Sequence, residues 1–187
     1  YGYCGGNPMR YIDKDGRRIE FAPGCSDAFK KYFTMAVEHL KAKRADGILA
    51  KLQESDKVVY IAETHEGNSS NFYSGDMTIY WAPTTGLKTQ KGHKLSPATI
   101  LNHEADHALA YIEDPKKYVV KAKAIYPNYG NLEEKRVVSG SEQRTAKALG
   151  EINEEEVTRT DHYGTFFSTY NPTSTEVGSP DFEIIGK

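Results

Sequence analysis

Residues 103–107 read His-Glu-Ala-Asp-His, an HExxH motif. Four residues on an α-helix make one turn plus a little, so His103 and His107 project from one face and can share a metal ion. Zn2+ suits such a pair, and Glu104 lies next to that face, where it can take a proton from a metal-bound water. Catalytic zinc usually has three protein ligands plus water. The remaining histidines are His39, His65, His93 and His162, and the strongest further donors are carboxylates in residues 132–142 (LEEKRVVSGSE). By residue type Glu133, Glu134 and Glu142 all qualify. The competing reading makes Glu133 and Glu134 first-turn acids favoured by a helix dipole.

Several elements must position these residues. Ser96 is a natural N-cap and Pro97 a natural first helical residue, so the motif helix starts there and runs to about Ile112, before Asp114-Pro115. Ile100, Leu101, Ala105, Ala108 and Leu109 surround the motif and predict a buried helix. Asp106 fills a slot that is usually uncharged, and it can point to solvent or brace the site. Upstream, Ser26 or Asp27 caps a helix reaching about Arg44, with a core face of Phe29, Tyr32, Phe33, Ala36, Val37 and Leu40. A short helix follows over residues 47–54. Residues 17–21, 57–63 and 77–82 read as strands, the last able to line a cleft as a sheet edge. Residues 64–75 and 84–95 read as loops, and 116–123 as a solvated strand or helix face. Residues from 132 onward suggest a helix or bent helix. Strands followed by helices, without regular βαβ alternation, predict an α+β fold.

The 187 residues include 24 Lys+Arg against 26 Asp+Glu, a formal charge of -2. No global basic field exists to hold nucleic acid or an anionic membrane. Nor does any apolar run approach the ~18 residues of a membrane helix. Cys4 and Cys25 are the two cysteines, which excludes a cysteine-based zinc knuckle. A Cys4–Cys25 disulfide fits an oxidising compartment, although buried free thiols are commoner. No P-loop, GxSxG or GxGxxG pattern is present. The chain opens YGYCGG without an initiator Met and reads as a fragment of something longer.

HEADH followed by EEKRVVSG resembles the effector-type zinc endopeptidases that bacterial pathogens inject to cut host kinases. It is more distantly similar to clostridial neurotoxin light chains, whose pattern is HExxH and then EEL-x-x-x-G-G. The resemblance implies that Glu134, the second acid of its pair, is the third metal ligand, with Glu133 as supporting acid. The effector-type family also carries Arg-x-x-Tyr near its C-terminus, facing the scissile carbonyl. Here Arg159 matches the Arg, His162 falls in the Tyr slot and Tyr163 stands beside it. That departure leaves open which side chain donates to the oxyanion, a role an imidazole can fill. The alternative pairs Arg159 with Glu154–Glu156 and makes His162 an ordinary loop residue. Separately, residues 1–16 resemble the end of an Rhs/YD-repeat core, Y-x-Y-x-x-N-N-P-x-x-x-x-D-P-D-G. Tyr1, Tyr3, Asn7, Pro8, Asp13, Asp15 and Gly16 are in register, while Gly6 and Lys14 depart. In that superfamily the motif precedes a variable toxin domain.

The resulting expectation is an α+β, zincin-like metallopeptidase domain over residues 22–187, its HExxH helix packed on a small mixed sheet. An Rhs-core remnant or linker over residues 1–21 precedes it. His103, His107 and Glu134 hold Zn2+, Glu104 is the base, and Arg159 with His162 or Tyr163 stabilises the oxyanion. The resemblances imply a toxin or effector delivered from a bacterial cell within a larger protein and acting on a protein or peptide. They also imply the Rhs shell and an immunity protein as partners. Two rivals stand: a catalytically inactive zincin-scaffold binding module, and a nucleic-acid-targeting Rhs toxin domain.

Overall fold

A computed structural model describes residues 19–64 and 69–180. Alternating burial in β2 (Val59–Glu63) and β4 (Thr78–Trp81) turns Ile61, Ile79 and Trp81 into one core. β1 (Ile19–Phe21) and β4 flank β2 in parallel, and β3 (Asn71–Tyr73) closes the far side antiparallel to β4. The strand order is therefore β1-β2-β4-β3. β1 thus draws this sheet's first strand from residues that the expected boundary leaves in the leader.

Against this sheet packs α1 (Asp27–Ala42), presenting Phe29, Tyr32, Phe33, Ala36 and Leu40 at helical spacing. Ser26 Oγ caps it by accepting from the Phe29 amide at 3.0 Å. α2 (Gly47–Gln53) adds Leu49 and Leu52. Cys25 Sγ donates to the Ile61 carbonyl at 3.4 Å. Cys4 and the Rhs-like stretch lie outside the described residues, as does His65.

Two segments expected as loops contain strands. β3 sits inside residues 64–75. Residues 84–95 fold into β5 (Thr85–Thr89) and β6 (Lys94–Leu95), the first two strands of a second antiparallel sheet. Its third is β9 (Gly164–Ser168), giving the order β6-β5-β9. Gly, Lys and Thr dilute the usual strand signal in β5. Its stability comes from the pairing with β9, distant in sequence.

The motif helix, α3 (Pro97–Glu113), runs between the sheets. Ser96 Oγ caps it through the Thr99 amide, and Trp81 Nε1 donates to the Pro97 carbonyl at 2.9 Å, tying its start to β4. Residues 116–123 are helical, within α4 (Pro115–Lys123), followed by the small β7 (Ile125–Tyr126) and β8 (Gly130–Asn131) hairpin. The expected bent helix is α5 (Leu132–Val137), a π-helical turn Val138–Glu142, and α6 (Gln143–Leu149). The chain is α+β.

Glu151 closes the N-terminus of α3, accepting from the Ser96 amide at 3.1 Å and the Thr99 hydroxyl at 2.7 Å. Burial pushes its carboxyl up from 4.5 to about 7 against these hydrogen bonds. The folded state therefore binds the proton more tightly than the unfolded chain does. This contribution to stability is complete below about pH 4.5 and falls away as pH rises towards 7, by at most about 3 kcal/mol. Glu151→Gln removes the titration while its remaining oxygen still accepts from the Ser96 amide and its amide nitrogen donates to the Thr99 hydroxyl oxygen. Urea denaturation from pH 5 to 8 is expected to show wild type losing stability relative to Glu151→Gln, and parallel curves would refute this.

Candidate metal centre

Asn102, His103, Glu104, Asp106 and His107 of α3 are all buried. Buried charges cost several kcal/mol each unless paired, so their partners reveal what the helix is built to hold. The two imidazoles bring their Nε2 atoms within 3.2 Å of each other. Glu134 completes a triangle, with Oε2 3.3 Å from His103 Nε2 and Oε1 3.4 Å from His107 Nε2. Its place in the first turn of α5 is fixed by Asn131, whose Oδ1 accepts from the Glu134 amide at 2.8 Å.

A carboxylate also holds the far nitrogen of each ring. His103 Nδ1 lies 2.9 Å from Glu142 Oε2, and His107 Nδ1 lies 3.4 Å from Glu133 Oε1. Such backing carboxylates fix ring orientation and tautomer in metal sites. They are anchored in turn. Glu142 accepts from Thr158 Oγ1 at 2.8 Å, Arg159 Nε at 3.0 Å and Arg159 Nη2 at 2.5 Å. Glu133 accepts from Arg136 Nε and Nη2. Arg136 reaches on to Asp106 Oδ2 at 2.9 Å, and the Ser141 hydroxyl donates to the same oxygen. Asp106 therefore braces the site and does not point to solvent.

The π-helical turn explains how Glu134 and Glu142 serve one imidazole. On a regular α-helix eight residues leave the two acids about 80° apart. A π turn takes one extra residue, which sets the register back by about 100° and brings both acids to one side. Glu134 faces the Nε2 atoms and Glu142 takes the opposite nitrogen of His103.

Burial alone would lower both imidazoles, yet the carboxylates of Glu134 and Glu142 on either side of its ring hold His103 up at about 10. Hydrogen bonds to Glu133 and Glu134 likewise hold His107 at about 9. Against their own burial, Glu133 and Glu142 stay at about 2, Glu133 through His107 and Arg136, Glu142 through His103 and Arg159. Glu134, also partly buried, is driven well below the usual carboxylate range by His103, His107 and His162. A cation entering here displaces imidazole protons, which ties its affinity to pH. Glu104 is different: burial raises its carboxyl, opposed by the two imidazoles, and the Phe72 amide of β3 donates to its Oε2 at 2.8 Å.

The donor set fits a small divalent cation. Ligands at 2.0–2.1 Å around tetrahedral zinc are about 3.3–3.4 Å apart, close to the separations within the His103–His107–Glu134 triangle. Glu134 Oε2 is buried without a hydrogen bond of good geometry, although imidazole nitrogens of His103 and His162 converge on it. His103, Glu134 and His162 each offer one atom within 4.8 Å of the others. His162 Nε2 is 3.1 Å from Glu134 Oε2, its side chain half exposed and its amide bonded to the Asn128 carbonyl at 2.9 Å.

His103, Glu104, His107, Glu134, Glu142 and His162 open on a cleft of about 450 Å³, also lined by Arg159, Tyr163, Phe72 and Tyr118. Tyr163 is exposed at the rim. Arg159 is buried on Glu142, while Glu156 accepts from the Asn153 amide. His39 and His93 do not line the cleft. Bracing was one of the two readings of Asp106, whereas Arg136 and Tyr118 have no functional assignment in the sequence. The one legible signal was the i,i+3 Glu133–Arg136 pair. Tyr118 packs its ring edge-on to His107, and burial beside the site's acids raises its phenol to about 12.

Comparison with protein-family models, curated proteins and solved structures finds no match to this chain.

Proposed function

We propose that this chain is a zinc-dependent endopeptidase with a zincin-like arrangement, in which His103, His107 and Glu134 hold the metal. The observation that carries this reading is the triangle of two Nε2 atoms and one carboxylate, with a second carboxylate behind each imidazole. When bound, zinc supplies a Lewis acid that acidifies water and polarises a carbonyl. Glu104, its carboxyl raised by burial and oriented by the Phe72 amide, accepts the proton of the attacking water and returns it to the leaving nitrogen. Arg159, His162 and Tyr163 line the same cleft, and in this reading their N–H or O–H groups stabilise the carbonyl oxygen as its charge grows.

The Rhs-like residues 1–16 support a setting as the toxin or effector part of a larger protein delivered from a bacterial cell. A protein substrate and an immunity protein are the partners that follow. Among the described residues, no helix is long and apolar enough to cross a membrane.

The reading is tested by exposing a cell proteome to the purified chain and sequencing newly formed N-termini. New termini are expected with the zinc-loaded protein, lost after chelation and restored by zinc. Cleavage of added RNA or DNA with no new N-termini would replace the reading by a nuclease.

A further inference from the structure

The cleft is flanked by edge strands of two different sheets, and they are not equally open. β3 spans three residues, and its central Phe72 already donates its amide to Glu104. β9 is the outer strand of the order β6-β5-β9. The Thr169 amide donates to the Thr84 carbonyl at 2.8 Å, and the register pairs Thr85 with Ser168, Leu87 with Phe166 and Thr89 with Gly164. In an antiparallel ladder hydrogen-bonded pairs alternate with non-hydrogen-bonded ones. Gly164, Phe166 and Ser168 therefore turn their backbone groups away from β5, towards the outer side of the sheet.

The far end of this edge already carries a strand. The Gly178 amide donates to the Ser168 carbonyl at 3.0 Å, and Thr169 bridges Val177 antiparallel. Gly178 fits there because a Cβ would meet the Tyr170 ring. Continuing that register sets Pro180, which has no N–H, opposite Phe166, and no ladder bond follows Gly178 among the described residues. Among the described residues, the near end carries no further strand. Gly164 and Phe166 line the cleft immediately after His162 and Tyr163, and the Phe166 side chain is 45% exposed.

We propose that an extended, unstructured polypeptide segment docks by adding a strand to the Gly164–Phe166 edge of β9, which leads it to the metal cleft. The edge reads main-chain groups and so tolerates many sequences, while demanding an N–H on the residue opposite Phe166. The exposed Phe166 ring adds apolar contact. The proposal rests on the peptidase reading for what the docked strand is used for, and it stands apart from that reading as a binding site.

The test uses the full zinc-loaded chain carrying Glu104→Gln, with reduced, carboxymethylated casein as the unstructured probe. Saturating casein is expected to slow amide exchange at Gly164 and Phe166. Phe166→Pro removes an outward N–H without touching the β5 ladder, whereas Phe166→Ala keeps it. Phe166→Pro is expected to weaken casein binding roughly tenfold or more, and Phe166→Ala by less than about threefold. Absence of casein binding, protection confined to β3, or equal binding by the two Phe166 variants would overturn the proposal. So would full protection of both amides in the free chain, which would give the edge to this chain's own residues. Casein that protects the edge yet is never cut by the wild type removes the peptidase reading alone. Casein that is cut without protecting Gly164 or Phe166 removes only the docking edge.

Discussion

Glu104→Gln is expected to lower kcat by about 10²–10⁴-fold, the range for a lost general base, while zinc content and melting temperature stay near wild type. Gln preserves the shape and the oxygen that accepts from the Phe72 amide, so the helix and the β3 contact survive. What disappears is a carboxylate able to take a proton. Burial raises its affinity for that proton, which brings it nearer the working pH of a base. Initial-rate kinetics on a protein identified by its new N-termini, with metal content measured on the same samples, check this. Near-normal kcat in Glu104→Gln would assign proton transfer to another group.

Arg159→Ala costs about 3–5 kcal/mol of stability, as expected when one partner of a buried ion pair is removed. Arg159 is 5% exposed and Glu142 2%, and the guanidinium donates to both carboxylate oxygens. Without it a buried carboxylate keeps Thr158 and His103 as partners. Because Glu142 orients His103, zinc affinity is also expected to fall, by about 10–100-fold. Arg159→Lys restores the charge but not the fork, and recovers part of the loss. Urea denaturation and competition with a chromogenic chelator read the two effects. A stability loss below about 1 kcal/mol would deny the pair its structural role and leave Arg159 to the cleft alone.

The parts legible in the sequence are those with local grammar. Ser26 and Ser96 announce helix starts, and Phe29, Tyr32, Phe33, Ala36 and Leu40 mark a buried face by spacing alone. The HExxH pair needs one helical turn to bring its rings together, so its geometry is written in five residues. β3, β5 and β9 carried no such signal. Asn71–Tyr73 is too short and too polar in its surroundings, and Gly86 and Lys88 interrupt β5, whose partner lies nearly eighty residues on. That hid the Phe72 amide that holds Glu104 and the edge beside His162. The double use of Glu134 and Glu142 depended on the π-helical turn, which helical periodicity does not anticipate. Whether Asp106 points to solvent or braces the site stays open in the sequence, because Arg136 and Ser141, its partners, are thirty or more residues away.

The central claim is that His103, His107 and Glu134 form one zinc site, and metal analysis tests it most directly. The full chain, purified without chelator and then offered zinc, is measured by elemental analysis beside His103→Ala, His107→Ala, Glu134→Ala and His162→Ala. The account predicts one zinc per wild-type chain, its loss in the first three variants and its retention in His162→Ala. No zinc in the wild type, even after zinc is added, would contradict it.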